Sequence, residues 1–390
     1  MKALFHRYGS IVEPDIIAAL ETLGVDVLTE DMEIKQKAID SDTRIKVMAE
    51  NILINHPDFV FSINYFPYIS SICEKLNTIY ICLTVDCPVM EIYSETIKNK
   101  CNRIFLFDRA QYESVCSANP EGIFYIPLAT NTERWDEIEG NGYKYDVSLV
   151  GSLYTEKSLY STMKMKDMER GYFDGLLKAQ SMLDGLTLLD EVIKSDNEYL
   201  QRVLKDNPGT FEKYSLSDPI IDTDSFAMVN NILGFELSAL DRINLIKSIG
   251  QSFKIDLFTR SEYAFDEKNI IIHGGVSTHT EMPKVFKESK ININHTMRSI
   301  RTGLPQRIWD IAGCGGFILT NYQEEIPEFL EIGEDIAVYE SEAECIELIN
   351  YFLTHDDERE AMAHSAYKKV KNSHTYLIRM AQILTKVFKA

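Results

Sequence analysis

Around the glycine break between Arg301 and Glu328 the chain places two arginines, Arg301 and Arg307, with the acids Asp310 before the break and Glu328 after it. A guanidinium offers bidentate, permanently charged contacts to phosphate oxygens. Carboxylates accept hydrogen bonds in pairs, which suits vicinal hydroxyls. Such a set could hold a ligand that carries both phosphate and diol. The bland alternative makes Asp310 a helix-surface acid paired with Arg307, and Glu328 one acid of the crowded run Glu324–Glu344. On residue chemistry alone the bland reading is favoured.

The surrounding sequence must position these groups. In LPQRIWDIAGCGGFILTNYQEEIPEFLEIGEDIAVYE, Pro305 pre-sets a helix start, and Ile308, Trp309, Ile311 and Ala312 give the helix an apolar face. Gly313, Gly315 and Gly316 end it, because glycine accepts the left-handed geometry of a helix C-terminus. Phe317–Thr320 is then a short apolar run of the kind that fills a parallel sheet. Cys314, in the glycine break, reads as packing, since no general base is indicated beside it.

Upstream, strands and helices alternate. Lys2–His6, Phe59–Ile63, Ile79–Val85, Arg103–Phe107 and Gly122–Ile126 read as buried strands, with a helix at Ile11–Leu23. Residues 1–144 are thus one doubly wound α/β domain. Tyr145–Val150 opens a second domain, 145–373, whose strands return at Ile255–Phe258, Ile270–Ile272, Ile291–Asn294, Phe317–Thr320 and Ala337–Tyr339. A helical insertion occupies about 159–250, and the stretch after Ser341 is mostly helical. Ligands of open parallel sheets bind beyond the strand carboxyl ends. Attention therefore falls on the turns after His6, Ile63, Val85, Val150, Phe258 and Asn294, which would line a cleft between two facing sheets.

Composition narrows the classes. A chain of 390 residues suggests two domains, and 45% hydrophobic with 26% charged residues is ordinary for a globular protein. The formal charge of −20 argues against a nucleic-acid partner, since no basic stripe opposes it. No run approaches the ~18 apolar residues of a membrane span, and no secretory leader is recognisable, so a cytoplasmic protein is expected. Seven cysteines without a CxxC pair read as reduced thiols, and no metal ligand set is expected.

With these pieces placed, the chain resembles the CgeB-like (spore protein YkvP/CgeB) family of GT-B glycosyltransferases, with an N-terminal half like the DUF3880-type domain. The likeness rests on PDFVFSINYFPYISSIC, IYICLTVDCP, IFLFDRAQYE and IPLATNTERW, on YDVSLVGSLYTEKS at the junction, and on HGGVSTHTEMPKVFKESKININHTMRSIRTGLPQRIWDIAGCGGFILTNYQEEIPEFL. The resemblance implies a GT-B fold of two Rossmann-like domains, with the final segment, about 374–390, packing back on the first.

It also implies transfer of a sugar from a nucleotide-sugar, UDP- or TDP-linked, to a glycan, protein or small-molecule acceptor. No metal or other cofactor is expected, and the anomeric configuration would be retained. In that register Asp310, at a position where Glu is common, and Glu328 would touch ribose and sugar hydroxyls. Arg301, Arg307, Arg260, Lys157 and the turn Gly151-Ser152 are candidates for the pyrophosphate. Gly274, Gly275 and Val276 are candidates for the nucleobase wall, and Asn321 is a further donor contact.

His295, at a strand end, and Asp86, in TVDCP, are candidate catalytic groups with Glu328. Asp86 would orient or deprotonate the acceptor hydroxyl. The alternatives are a structural histidine and an Asx turn before Pro88. Asp222-Thr223-Asp224 has the DxD spacing of a manganese site but lies in the helical insertion, where an N-cap by Asp224 or Ser225 explains it better. Two rival classes share the fold: a sugar-nucleotide epimerase, and a non-catalytic, coat-associated binding protein.

Overall fold

The computed structural model describes residues 1–36, 40–183 and 185–388. Two compact units account for the chain: Met1–Asn131 with Leu216–Ile220 and Asn372–Ala390, and Thr132–Ser215 with Ile221–Lys371.

In the first unit six parallel strands, β1 (Lys2–His6), β2 (Asp26–Glu30), β3 (Phe59–Ile63), β4 (Ile79–Leu83), β5 (Asn102–Leu106) and β6 (Ile123–Tyr125), lie in the order β2-β1-β3-β4-β5-β6. β3 is buried along its whole length, as its near-continuous apolar run requires, with only Ser62 polar. Helix α1 (Glu13–Thr22) begins with a proline in its first turn and packs Ile16, Ala19 and Leu20 into the core. The last helix, Tyr376–Val387, adds Tyr376, Met380, Ile383 and Leu384 to that same core. Each such side chain contributes ~1.5–3 kcal/mol on burial. Residues 389–390 of the segment assigned to this packing lie outside the described residues.

The second unit holds β7 (Tyr145–Val150), β8 (Ile255–Phe258), β9 (Ile270–His273), β10 (Ser289–Asn294), β11 (Ile318–Asn321) and β12 (Ala337–Tyr339), all parallel, in the order β12-β11-β10-β7-β8-β9. The strand order reverses between β7 and β10. Among the helices between β7 and β8, the last is α2 (Gly234–Ser252), which enters from a π-helical turn at Met228–Leu233. α3 (Gln306–Gly313) carries the motif acid and ends before Gly315, whose φ of +73° is the left-handed stop expected there.

Two boundaries and one strand differ from the sequence reading. The division falls at 131/132 rather than 144/145, because Lys287 Nζ donates to the carbonyls of Trp135 and Ile138, and the Asn141 N–H donates to Glu288. Within the helical insertion, Leu216–Ile220 joins the first unit, where the Ile220 N–H donates to the Tyr93 carbonyl and the Glu95 N–H to that of Asp218. β2 went unread, being a partly exposed strand at the sheet edge. Among the described residues no helix is long and apolar enough to cross a membrane.

Candidate functional site

At the point where the second sheet's strand order reverses, the turns after β7 and β10 lie side by side, the place where open α/β sheets bind ligands. The turn after β7 is tightly specified. Gly151 N–H donates to the Phe258 carbonyl at 3.0 Å, and Leu153 N–H donates to Ser261 Oγ at 2.8 Å, which fixes this turn to the one after β8. Ser152 Oγ donates to Glu156 at 2.6 Å and accepts the Tyr154 N–H at 2.7 Å. Tyr154 has a φ of +64°, a left-handed conformation costly for a bulky side chain and typical of sites where geometry is imposed.

Arg242, from α2, joins the two turns. Its guanidinium donates to the Ser152 carbonyl and, through Nε at 3.1 Å and through Nη2, to the His295 carbonyl. Its Cζ lies 4.4 Å from the centre of the Tyr154 ring, and only 9% of the residue is exposed. Among the described residues no carboxylate is paired with it. Nothing in the sequence marks Arg242, which occupies a helix-polar position in LSALDRINLIK.

Arg307 lies near enough for Arg242's charge to matter to it. Burial pushes the Arg307 pKa down, the Asp310 carboxylate pulls it back up, and the charge of Arg242 lowers it again. Arg307 Nη1 is 3.9 Å from Asp310 Oδ2, so the pairing named as the bland alternative is present, though long. Asp310 is buried and also accepts from Gln306 Nε2 at 2.9 Å. Arg242, buried with no paired carboxylate among the described residues, and Arg307, partly exposed with one long pairing, thus bring two guanidiniums to this end of the sheet in a chain whose net charge is −20.

The remaining sequence candidates divide into groups. Arg260 lies over Gly275, where an added Cβ would come within 2.2 Å of Arg260 Cγ, so Arg260, Gly274, Gly275 and Val276 gather at the ends of β8 and β9. Lys157 stands over the rings of Tyr154 and Phe235, at 5.5 and 5.9 Å. Arg301 is engaged otherwise than expected of a phosphate ligand: its guanidinium grips Asp190 bidentately, at 2.5 and 3.1 Å, and reaches Asn230. Asn321 Oδ1 accepts the Thr296 N–H at 2.7 Å, which ties β11 to the turn after β10.

Glu328 is exposed on the short helix Ile326–Phe329. The buried acid of this loop is Glu325, which accepts from Thr302 Oγ1 at 2.7 Å. Asp222, rather than Asp224 or Ser225, is the N-cap that explains the DxD, with its carboxylate accepting from Ser225. Cys314 is buried, and burial raises its thiol pKa far above the usual range, so it packs as expected.

A cavity of about 650 Å³ adjoins the carboxyl ends of β10, β11 and β12, lined by Asp241, His295, Arg298, Arg301, Asn321 and Glu342 among others. The His295 ring stacks on Tyr339, with Nδ1 2.9 Å from the tyrosine hydroxyl. Burial, then the charges of Arg242 and Arg298, hold its pKa down at about 3, so the imidazole is neutral at ordinary pH. In the first unit, burial and Arg379 hold His374 at about 4. Unfolded, both rings titrate near 6.5, so between that value and the folded ones the unfolded chain binds more protons. Stability from this source is complete above pH 6.5 and declines as the pH falls toward 3. A melting temperature that drops on acidification from pH 7 to 5, with a shallower slope in His295→Gln, is the expected result of a thermal-melt series.

In the first unit, Asp86 lies exposed beyond β4 and accepts from Asn64 Nδ2 at 2.7 Å, while Asn64 Oδ1 accepts the Val85 N–H at 3.0 Å. The Asx turn offered as the bland reading is therefore replaced by a clamp from Asn64.

Known proteins place this geometry. Residues 240–385 match a family model described as glycosyl transferase-like. No curated protein matches the chain. Among solved structures, a glycosyltransferase from Rickettsia africae aligns over 100% of this chain and 99% of its own at 12% identity, with a TM-score of 0.53. Sucrose-phosphate synthase from Thermosynechococcus elongatus aligns over 99% and 98% at 9% identity, TM-score 0.52. The T4 phage BGT structure, solved in complex with its UDP-glucose substrate, aligns over 100% of both chains at 9% identity, TM-score 0.51. Residues 240–385 are thus glycosyl transferase-like in sequence, and the whole chain, with its two parallel six-stranded sheets, has the GT-B fold of these glycosyltransferases.

Proposed function

We propose that this chain is a glycosyltransferase that moves a sugar from a nucleoside-diphosphate sugar to an acceptor hydroxyl, with the donor on the second unit. The observation that carries the reading is the pair of guanidiniums at the β7/β10 reversal, Arg242 buried without a paired carboxylate among the described residues and Arg307 with only a long pairing, 3.9 Å, to Asp310. That excess of positive charge suits a pyrophosphate, and the family match covers the same residues. The glycosidic C1–O bond to phosphate breaks with its electron pair going to the nucleoside diphosphate. C1 then bonds to the acceptor oxygen, whose proton passes to a base, for which Asp86 is the candidate. Arg242 and Arg307 stabilise the charge on the leaving diphosphate, so no metal is invoked for that task.

Asp310 is assigned to the ribose, and Arg260 with Gly274-Gly275-Val276 to the nucleobase side. A UDP- or TDP-linked donor, a place in the CgeB-like family and a cytoplasmic setting belong to the same proposal, and a single displacement with Asp86 as base implies inversion at C1 where the resemblance implied retention. They are supported by the acid-bearing helix α3, by the sequence resemblance and by cysteines that are all free. Titration calorimetry with UDP, TDP and GDP tests the donor assignment. Micromolar binding of at least one is expected, and heat from none of the three would sink it.

A further inference from the structure

The first sheet has its own reversal of strand order, between β1 and β3, and the residues that follow these strands form one connected surface. Asn64, held at a φ of +58°, donates from Nδ2 to both the Tyr8 hydroxyl at 3.0 Å and Asp86 Oδ2 at 2.7 Å. A polar row of phenol, amide and carboxylate therefore crosses the ends of β1, β3 and β4. Beside it stand the half-buried rings of Tyr8, Phe66 and Tyr68: Phe66 meets Tyr8 at 5.5 Å and Tyr68 at 5.9 Å, and it meets the fully buried His6 ring at 4.8 Å, each edge to face.

Two features say what this surface refuses. The N–H groups of Tyr8, Gly9 and Ser10, a ready anion cradle, all donate at 2.9 Å to one oxygen of the buried Glu13. The chain's own carboxylate fills the place a phosphate would take. The nearby arginines are also matched, Arg7 by Glu13 and Arg44 by Glu33, and His6 Nδ1 lies 2.8 Å from Glu30. Asp86 has no cation paired with it among the described residues, so the surface carries net negative charge.

The geometry points to a neutral carbohydrate as the acceptor, seated on Tyr8, Phe66 and Tyr68 with a hydroxyl toward Asp86, and not to a phosphorylated or nucleotide acceptor. Sugar rings have an apolar C–H face that packs on aromatic rings and a rim of hydroxyls that matches donors and acceptors such as Tyr8, Asn64 and Asp86. This rests on the glycosyltransferase reading, but it concerns the other unit and is tested apart from it.

Saturation-transfer NMR on the full chain, with maltotriose, cellotriose and N,N′,N″-triacetylchitotriose as probes, should show transfer to the pyranose C–H protons of at least one. Affinity should drop roughly fivefold in Phe66→Ala, checked for folding by thermal melt. Glucose 6-phosphate should give no transfer with the wild type and a signal with Asp86→Lys, a change at an exposed position that reverses the local charge. Failure of all three trisaccharides, or a sugar phosphate preferred by the wild type, overturns the inference. If UDP binds while these glycans do not, the inference alone falls. If no nucleotide binds in calorimetry, the donor assignment falls instead.

Discussion

Replacing Arg242 with glutamine is expected to weaken UDP binding by roughly 10- to 100-fold while changing uridine binding by less than about threefold. A hydrogen bond to a charged partner is worth ~1.5–3 kcal/mol net, and the wild-type guanidinium would make at least one such bond to the diphosphate. Uridine lacks the diphosphate, so it reports only on the nucleoside subsite. The substitution has a structural cost as well, since the carbonyls of Ser152 and His295 both accept from Arg242, and glutamine reaches at most one of them. A stability loss of ~1–3 kcal/mol is therefore expected, and the two effects must be separated. Arg242→Lys keeps the charge and loses the fork, so its UDP affinity should fall between wild type and glutamine. Equal losses for UDP and uridine would make Arg242 a brace for the two turns and nothing more.

The contrast between Arg242 and Asp310 shows what the sequence could and could not reveal. Asp310 was legible because its helix, glycine break and strand are all local: each is set by residues within a few positions of the next. Arg242 was not, since its meaning comes from Ser152 and His295, which lie 90 and 53 residues away. Arg301 is the same case: its partner Asp190 is 111 residues distant, inside the helical insertion. In the loop after β11, acids at 324, 325 and 328 look alike in sequence. Only the fold shows that Glu325 is buried against Thr302 and Glu328 faces outward.

The strands tell a parallel story. β3, buried on both faces, is a near-continuous apolar run, whereas β2 is an edge strand whose DVLTE pattern is half polar and mimics a loop. The division falls earlier than expected because residues 132–144 hold to the second unit through Lys287 and Glu288, contacts that no composition shift announces.

Asp86→Asn should reduce kcat for sugar transfer by about 10²–10⁴-fold and leave UDP affinity unchanged, because the substitution removes a proton acceptor and little else. Asparagine is nearly isosteric, and its Oδ1 can still accept from Asn64 Nδ2, so the clamp that orders the end of β4 survives. Asp86 is exposed, which limits the effect on stability to about ±0.5 kcal/mol. The variant therefore separates chemistry from architecture more cleanly than a change at any buried acid of this unit, such as Glu13, whose carboxylate holds three backbone N–H groups. The acceptor proton has to leave as the new C1–O bond forms, and without a carboxylate at this position it must pass to water or to an oxygen of the departing diphosphate, both weaker bases for the task. Slow hydrolysis of the donor, in which water replaces the acceptor, should fall along with transfer if Asp86 also activates water. If transfer proceeds at the wild-type rate while the KM for acceptor rises, the carboxylate binds a hydroxyl without accepting its proton. The base would then have to be sought elsewhere, with the polar row of Tyr8 and Asn64 kept as the acceptor's hydrogen-bonding rim.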